Sequence, residues 1–282
     1  MQALISPLHA AILGVVEGIT EFLPVSSTGH LILTSWLLGL YKNPALKDGV
    51  DAFEVVIQTG ALCAVFGIYA LRVREMINGL LGRNEEGRRL VIRLFIAFLP
   101  AVLVGLLAGK WIKVHLFGVG PVVGALVAGG VLMLVEEHWR IRKAGGAQAA
   151  ASAGRGLSEM SLQAALVIGC AQCVAMWPGT SRSMATILAG LLLGFSPGAA
   201  AEFSFLLALP TLSAAAAHDL LKHGPALFSV AGPLGLALGF IVAFIVAWIT
   251  VKAFIAFLTK RGMTGFGWYR IALGIVLLAV LI

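Results

Sequence analysis

The sequence predicts an all-α polytopic membrane protein: six full transmembrane helices plus two re-entrant helical hairpins, arranged as an inverted repeat. Three observations carry this. Hydrophobic residues make up 60% of the 282-residue chain and charged residues 12%, with a mean hydropathy of +0.99; soluble domains average roughly 45–50% and 25%. Six apolar runs approach the about 20 residues that a bilayer-crossing helix needs. Two further apolar stretches are interrupted by short polar sequences. A soluble core of this size cannot hide so much apolar surface, so lipid serves as solvent for much of it.

The six expected spans are Ala52–Leu71, Leu90–Ala108, Pro121–Val135, Ala200–Leu220, Leu227–Leu258 and Trp268–Ile282. The third and sixth are short and extend into their flanks, and the fifth is long enough to tilt. The first apolar run, Ala3–Val16, has no basic residues before it and leads into Glu17 and Glu21, so it belongs to the mature fold and not to a cleavable signal.

The two broken stretches are Leu4–Leu40, interrupted at Pro24 and Ser26–His30, and Ser161–Gly194, interrupted at Pro178–Ser183. Each yields two short helices around a polar break, which a membrane tolerates only where protein or a polar cavity surrounds the backbone. Ile12-Leu13-Gly14 with Glu17 echoes Val167-Ile168-Gly169 with Gln172, and Pro24-Val25-Ser26-Ser27 echoes Pro178-Gly179-Thr180-Ser181. The chain therefore forms one membrane domain of two repeats, 1–135 and 161–282. An odd number of crossings in each makes the repeats inverted. Residues 136–160 are the expected cytoplasmic linker, a solvated loop without chemistry.

Charge sets the expected topology. Arg72, Arg74, Arg83, Arg88, Arg89, Arg93, Arg140, Arg142, Lys143, Arg155, Lys260 and Arg261 fall on one side, against Lys42, Lys47, Lys110, Lys113 and Lys222 on the other. The richer side faces the cytoplasm, which places both termini outside. The net charge of +7 then reflects anionic lipid and not a nucleic acid partner. Cys170 and Cys173 form a C-x-x-C, but they sit in an apolar run with no second ligand pair, so packing explains them.

Ionisable residues at membrane depth mark function. Glu17 and Glu21, four apart, share a helix face and need a cation, a proton or an Arg nearby. A hard divalent cation suits them. After Pro24, Ser26, Ser27 and Thr28 open the next helix, where hydroxyls and free N–H groups bind anions. His30 lies one turn beyond Ser27, giving a nucleophile and base pair. In the second break Ser181, Arg182, Ser183 and Thr186 surround another helix start, and the Arg182 fork matches phosphate oxygens. Together these describe phosphoryl chemistry on a substrate with a lipid tail. Glu54 with Gln58, and Glu202 with Ser204, are candidates for lining the same cavity. Arg270 and Lys252 are expected to snorkel to an interface. His9, His115, His138, His218 and His223 are expected in loops or at interfaces.

The runs EGITEFLPVSSTGH (17–30) and PGTSRSMAT (178–186), with FEVVIQTGAL (53–62) and EFSFLLALP (202–210), resemble the signature motifs of bacterial undecaprenyl pyrophosphate phosphatases of the bacitracin-resistance type. The resemblance covers nearly the whole chain, with Met184 standing where members often carry Gly or Ala. It implies hydrolysis of undecaprenyl pyrophosphate to undecaprenyl phosphate and inorganic phosphate, recycling the lipid carrier for cell-wall synthesis and conferring bacitracin resistance. It also implies the bacterial plasma (inner) membrane, a periplasmic active site and a Mg²⁺ or Ca²⁺ requirement. On this sequence it makes Glu17 and Glu21 handlers of metal or protons. Ser27, His30, Glu21 and Arg182 become catalytic, and Ser26, Thr28, Ser181, Ser183 and Thr186 join Arg182 in binding phosphate. Ser27, His30 and water all remain open as nucleophile. A polyprenyl-phosphate transporter or flippase is the alternative, since broken helices in inverted repeats also suit transport. A homodimer is compatible with the sequence.

Overall fold

In the computed structural model, the backbone is described for residues 5–42 and 47–281; within these ranges the side chains of 42, 47, 48, 113, 222–229, 280 and 281 are not. The side chains of Lys42, Lys47, Lys113, Lys222 and His223, which entered the expectations above, therefore lie outside the described residues, as does Ile282.

The chain is helical almost throughout. In order, the helices are α1 (Pro7–Thr20), α2 (Ser27–Leu37), α3 (Lys47–Ile68), α4 (Ala70–Leu80), α5 (Glu85–Leu116), α6 (Val119–Ala144), α7 (Ala147–Ser152), α8 (Leu162–Val174), α9 (Arg182–Leu192), α10 (Pro197–Arg261) and α11 (Thr264–Leu281). Among the described residues, five segments are long and apolar enough to cross a bilayer: Gly49–Ile68, Glu85–Ile112, Val119–Ala144, Pro197–Leu221 and Val230–Arg261. They correspond to the first five expected spans. The sixth is the shorter apolar helix α11. α10 contains the last two of the five and departs from helical geometry at Gly232, where φ is 62°.

The two interrupted stretches become the pairs α1/α2 and α8/α9. At 1.5 Å per residue, even the 14 residues of α1 reach only about 21 Å, short of the roughly 30 Å hydrocarbon core. Each pair is built alike. Ser6 caps α1 by accepting from the His9 N–H, and Ser161 caps α8 by accepting from the Ala164 N–H. Ser26 precedes α2 with φ 73°, and Ser181 precedes α9 with φ 72°; among the described residues no other non-glycine has positive φ. Caps and helix starts recur 155 residues apart (161 − 6 and 182 − 27). The same spacing separates Glu17 from Gln172 in the first sequence echo, while Pro24 and Pro178 in the second are 154 apart.

Two compact units are present. One comprises Met1–Phe22, Ser27–Ile68 and Ala208–Lys252; the other comprises Leu23–Ser26, Tyr69–Leu207 and Ala253–Ile282. In the first, Ile5, Leu13, Leu31, Phe53, Ile57 and Ala243 form a buried cluster. α1 lies close against α10 there because Gly14 and Gly18 carry no Cβ: one would stand 2.7 Å from the Gly239 carbonyl oxygen, or 2.8 Å from that of Ala243. In the second, Leu126, Met133, Ile168, Ile187, Phe195 and Phe203 are buried, and α6 meets α11 across Gly130 and Gly267. Such small-residue contacts let backbones approach where no hydrophobic effect drives helices together.

Residues 136–144 differ from the expected solvated loop. They continue α6, and Glu136, Glu137 and Arg140 are buried. Arg140 pairs with Glu136 (3.2 Å) and Glu137 (2.9 Å) and donates to the Ala150 carbonyl at 2.6 Å. Glu137 accepts the Met263 N–H at 2.7 Å, fixing the turn between α10 and α11. Charges invisible as a core in one dimension become one when the chain folds back over them.

The glycine contacts give a direct test. Gly18→Leu overpacks the α1–α10 approach and is expected to cost about 1–3 kcal/mol, read as a lower melting temperature in detergent. Gly109, with open space where a Cβ would lie, should accept Ala without loss. Equal melting temperatures for Gly18→Leu and wild type would refute the close-contact role.

Candidate active site

Within the first unit, α1 ends on the carboxylates of the first motif. Glu17 is fully buried, and Glu21, whose N–H bonds back to the Glu17 carbonyl at 2.9 Å, is nearly so. Ser27, the first residue of α2, donates its hydroxyl to Glu21 Oε2 at 2.6 Å. That is a short, charge-assisted bond, with the carboxylate set to receive the Ser27 proton. Ser27 is half-buried, Thr28 exposed and His30 half-buried. Glu54 accepts from Ser35 and Tyr41, each at 3.3 Å, and so ties the end of α2 and the following turn to α3.

The second unit brings the turn of the first break, Leu23–Ser26, against the second break. Ser183 donates to the Leu23 carbonyl at 2.8 Å and bonds Ser181 through its hydroxyl at 3.0 Å. Ser181 also accepts from the Met184 N–H and caps α9. Gly179 takes φ 94°, a conformation costly for other residues, and packs where any Cβ would meet the Val122 carbonyl oxygen.

Arg270 holds this assembly. It is fully buried and donates to the carbonyls of Pro24 (3.1 Å), Gly179 (2.9 Å), Ala125 (3.1 Å) and Leu126 (3.4 Å). The two breaks expose the Pro24 and Gly179 carbonyls, which lipid cannot satisfy; one guanidinium with five N–H donors satisfies both and also reaches two carbonyls within α6. The expectation that Arg270 snorkels to an interface is therefore corrected. Two signals were available: an intramembrane Arg is a functional candidate, and Gly129 and Gly130 leave room on the facing helix.

Arg182, half-buried at the start of α9, is steadied by a closed ring. Its Nη1 donates to the Ser204 carbonyl at 3.1 Å. The Ser204 and Thr186 hydroxyls meet at 2.6 Å, and Thr186 donates to the Arg182 carbonyl at 2.9 Å. Both hydroxyls are buried. Thr186 and Ser183, expected to bind phosphate, thus spend their hydroxyls on backbone and neighbouring side chains, and Ser204 faces α9. Glu202 pairs with Arg72 at 2.7 Å and lines a cavity of about 420 Å³ that includes no residue of the runs 17–30 and 178–186.

With this geometry in hand, comparison with known proteins is decisive. Residues 10–276 match the family model described as bacitracin resistance protein BacA. The chain belongs to that family. The match takes in both breaks and Arg270. Similar curated proteins include an "Undecaprenyl-diphosphatase" of Sorangium cellulosum, 48% identical over 95% of this chain and 84% of that protein. An "Undecaprenyl-diphosphatase 2" of Rhodospirillum rubrum is 46% identical over 98% and 95% of the two chains. An "Undecaprenyl-diphosphatase" of Methylococcus capsulatus is 45% identical over 96% and 94%. As a member of this family with several apolar helices, the protein is a multi-pass membrane protein.

Among the described residues, no three His, Cys, Asp or Glu side chains gather as a metal cage. The carboxylates of Glu17 and Glu21 still fit Mg²⁺, which commonly takes one or two carboxylates and fills its remaining positions with substrate phosphate and water.

Arg270→Met should strand the Pro24 and Gly179 carbonyls and cost several kcal/mol, lowering the melting temperature in detergent sharply. Arg270→Lys, with three donors and no fork, should fall between. Melting temperatures equal to wild type's would remove Arg270 from this role.

Proposed function

We infer that this chain hydrolyses undecaprenyl diphosphate to undecaprenyl phosphate and inorganic phosphate, recycling the lipid carrier used in cell-wall synthesis and thereby conferring bacitracin resistance. The names of its relatives support the substrate. The observation that carries the mechanism is the 2.6 Å bond from Ser27 to Glu21.

Ser27 Oγ attacks the terminal phosphorus while Glu21 accepts its proton. The bond from phosphorus to the bridging oxygen breaks, and undecaprenyl phosphate leaves with that oxygen. Water, deprotonated by His30, then attacks the phosphoserine; the bond from phosphorus to Ser27 Oγ breaks, Glu21 returns its proton to that oxygen, and inorganic phosphate departs. Arg182 and the N–H groups at the starts of α2 and α9 neutralise phosphate charge. A divalent cation, Mg²⁺ or Ca²⁺, held by Glu17 and Glu21 would neutralise the same oxygens further. The Thr186–Ser204 pair orients Arg182 without touching substrate.

The constant 155-residue spacing of caps and helix starts supports an internal repeat whose halves have diverged in task. Where the first carries Glu17, Glu21, Ser27 and His30, the second carries Gln172, Met176, Arg182 and Ala185. The first half supplies chemistry and the second supplies anion binding. The short α1/α2 and α8/α9 pairs suit re-entrant hairpins, and the basic loops favour a bacterial inner membrane with termini and site on the periplasmic face.

Phosphate release by the purified protein in detergent tests this. Wild type should release phosphate in Mg²⁺ and stop with chelator. Ser27→Ala and Glu21→Gln should each lose about 10²–10⁴-fold in kcat, the range of a lost proton-transfer group. Arg182→Ala should mainly raise KM. Acid-quenched enzyme should carry phosphate on Ser27 by mass spectrometry; phosphate on His30, or on no residue, would overturn the covalent role of Ser27. Thr186→Val should reproduce part of the Arg182→Ala defect and Thr186→Ser restore it; a Thr186→Val enzyme with unchanged KM would break the link to Arg182.

A further inference from the structure

α4 is a helix of a different kind from its neighbours. Its 11 residues span about 16 Å, half of what a bilayer core requires. It is separated from α3 by Tyr69 alone and from α5 by Leu81–Asn84, and both of those helices contain segments able to cross a bilayer. A short helix between two crossing helices ends up at a membrane face. Its inner side is committed: the Gly79 backbone packs on Gly87 and Arg88, and Gly87 on the Glu75 carbonyl. Arg72, on the same side, bonds Glu75 and Glu202, which hold its guanidinium above the ordinary pKa.

The outer side is apolar. Leu71, Ile77, Leu80 and Leu81 are 76%, 52%, 70% and 61% exposed, and Arg74 stands among them at helical spacing. Residues 70–93 hold six arginines against three glutamates. Arg88 and Arg89 are spent on Glu85. Arg74 and Arg83 are exposed and form no ion pair among the described residues. A leucine stripe beside uncompensated cations, on a helix that cannot span, matches the boundary between acyl chains and anionic headgroups.

We propose that α4 is an interfacial helix that binds anionic phospholipid, with Leu71, Ile77, Leu80 and Leu81 in the acyl boundary and Arg74 and Arg83 on lipid phosphate. This does not depend on the phosphatase reading.

The test uses the full chain in nanodiscs of phosphatidylcholine with or without phosphatidylglycerol. With Cys63, Cys170 and Cys173 replaced by Ala, a spin label at Ile77→Cys should be open to oxygen and shielded from a water-soluble nickel chelate. Native mass spectrometry should show phosphatidylglycerol retained over phosphatidylcholine. Arg74→Gln with Arg83→Gln should reduce that retention about thirtyfold, at roughly 1 kcal/mol per arginine, and leave phosphate release unchanged. A label at 77 freely open to nickel would overturn the proposal. So would retention unchanged by the double substitution, or lowered equally by Lys260→Gln with Arg261→Gln.

Discussion

The two breaks depend on the satisfaction of broken backbone in an apolar medium, and Arg270 meets that demand at both turns. Two interrupted helix pairs leave carbonyls that neither lipid nor a neighbouring turn can bond. By donating to Pro24, Gly179, Ala125 and Leu126, a single guanidinium joins the turn of one break, the turn of the other and α6. A lysine could not do this, because its three donors diverge from a point instead of fanning in a plane. Within the second unit, the Leu23–Ser26 turn and the turn before α9 are therefore held by one buried arginine.

With the breaks held, the motif residues fall into two kinds. Glu21 and Ser27 bond each other directly, side chain to side chain. Ser181, Ser183, Thr186 and Ser204 bond caps, carbonyls and one another, so their hydroxyls set the position of Arg182 and of the Leu23–Ser26 turn. Ser26 and Ser181 accept left-handed backbone at a cost of order 1–3 kcal/mol, which the surrounding hydrogen bonds offset.

Much of this was legible in the sequence because membrane folding writes strong, local signals. A span must be about 20 apolar residues long, and five of the six runs appear as such helices. Polar residues inside apolar stretches stand out, so Glu17, Glu21, Ser27 and Arg182 were readable as candidates one by one. The misjudged residues share a cause. Arg270 near a chain end, and Glu136, Glu137 and Arg140 in a charged, alanine-rich segment, look solvated in one dimension. Their partners lie over 100 residues away in the chain or on a helix that folds back, as with Pro24 for Arg270 and Met263 for Glu137.

The sequence by itself determined the membrane class, the approximate place of five spans, the two breaks and the residue types available for phosphoryl chemistry, since each follows from hydropathy, helix-stop chemistry and local spacing. Only the tertiary structure decided which hydroxyls face one another, that Ser27 bonds Glu21, and that Arg270 is a buried clamp. Hydrogen-bond partnership depends on atoms within about 3 Å, and nothing in linear spacing specifies which distant carbonyls a guanidinium will reach.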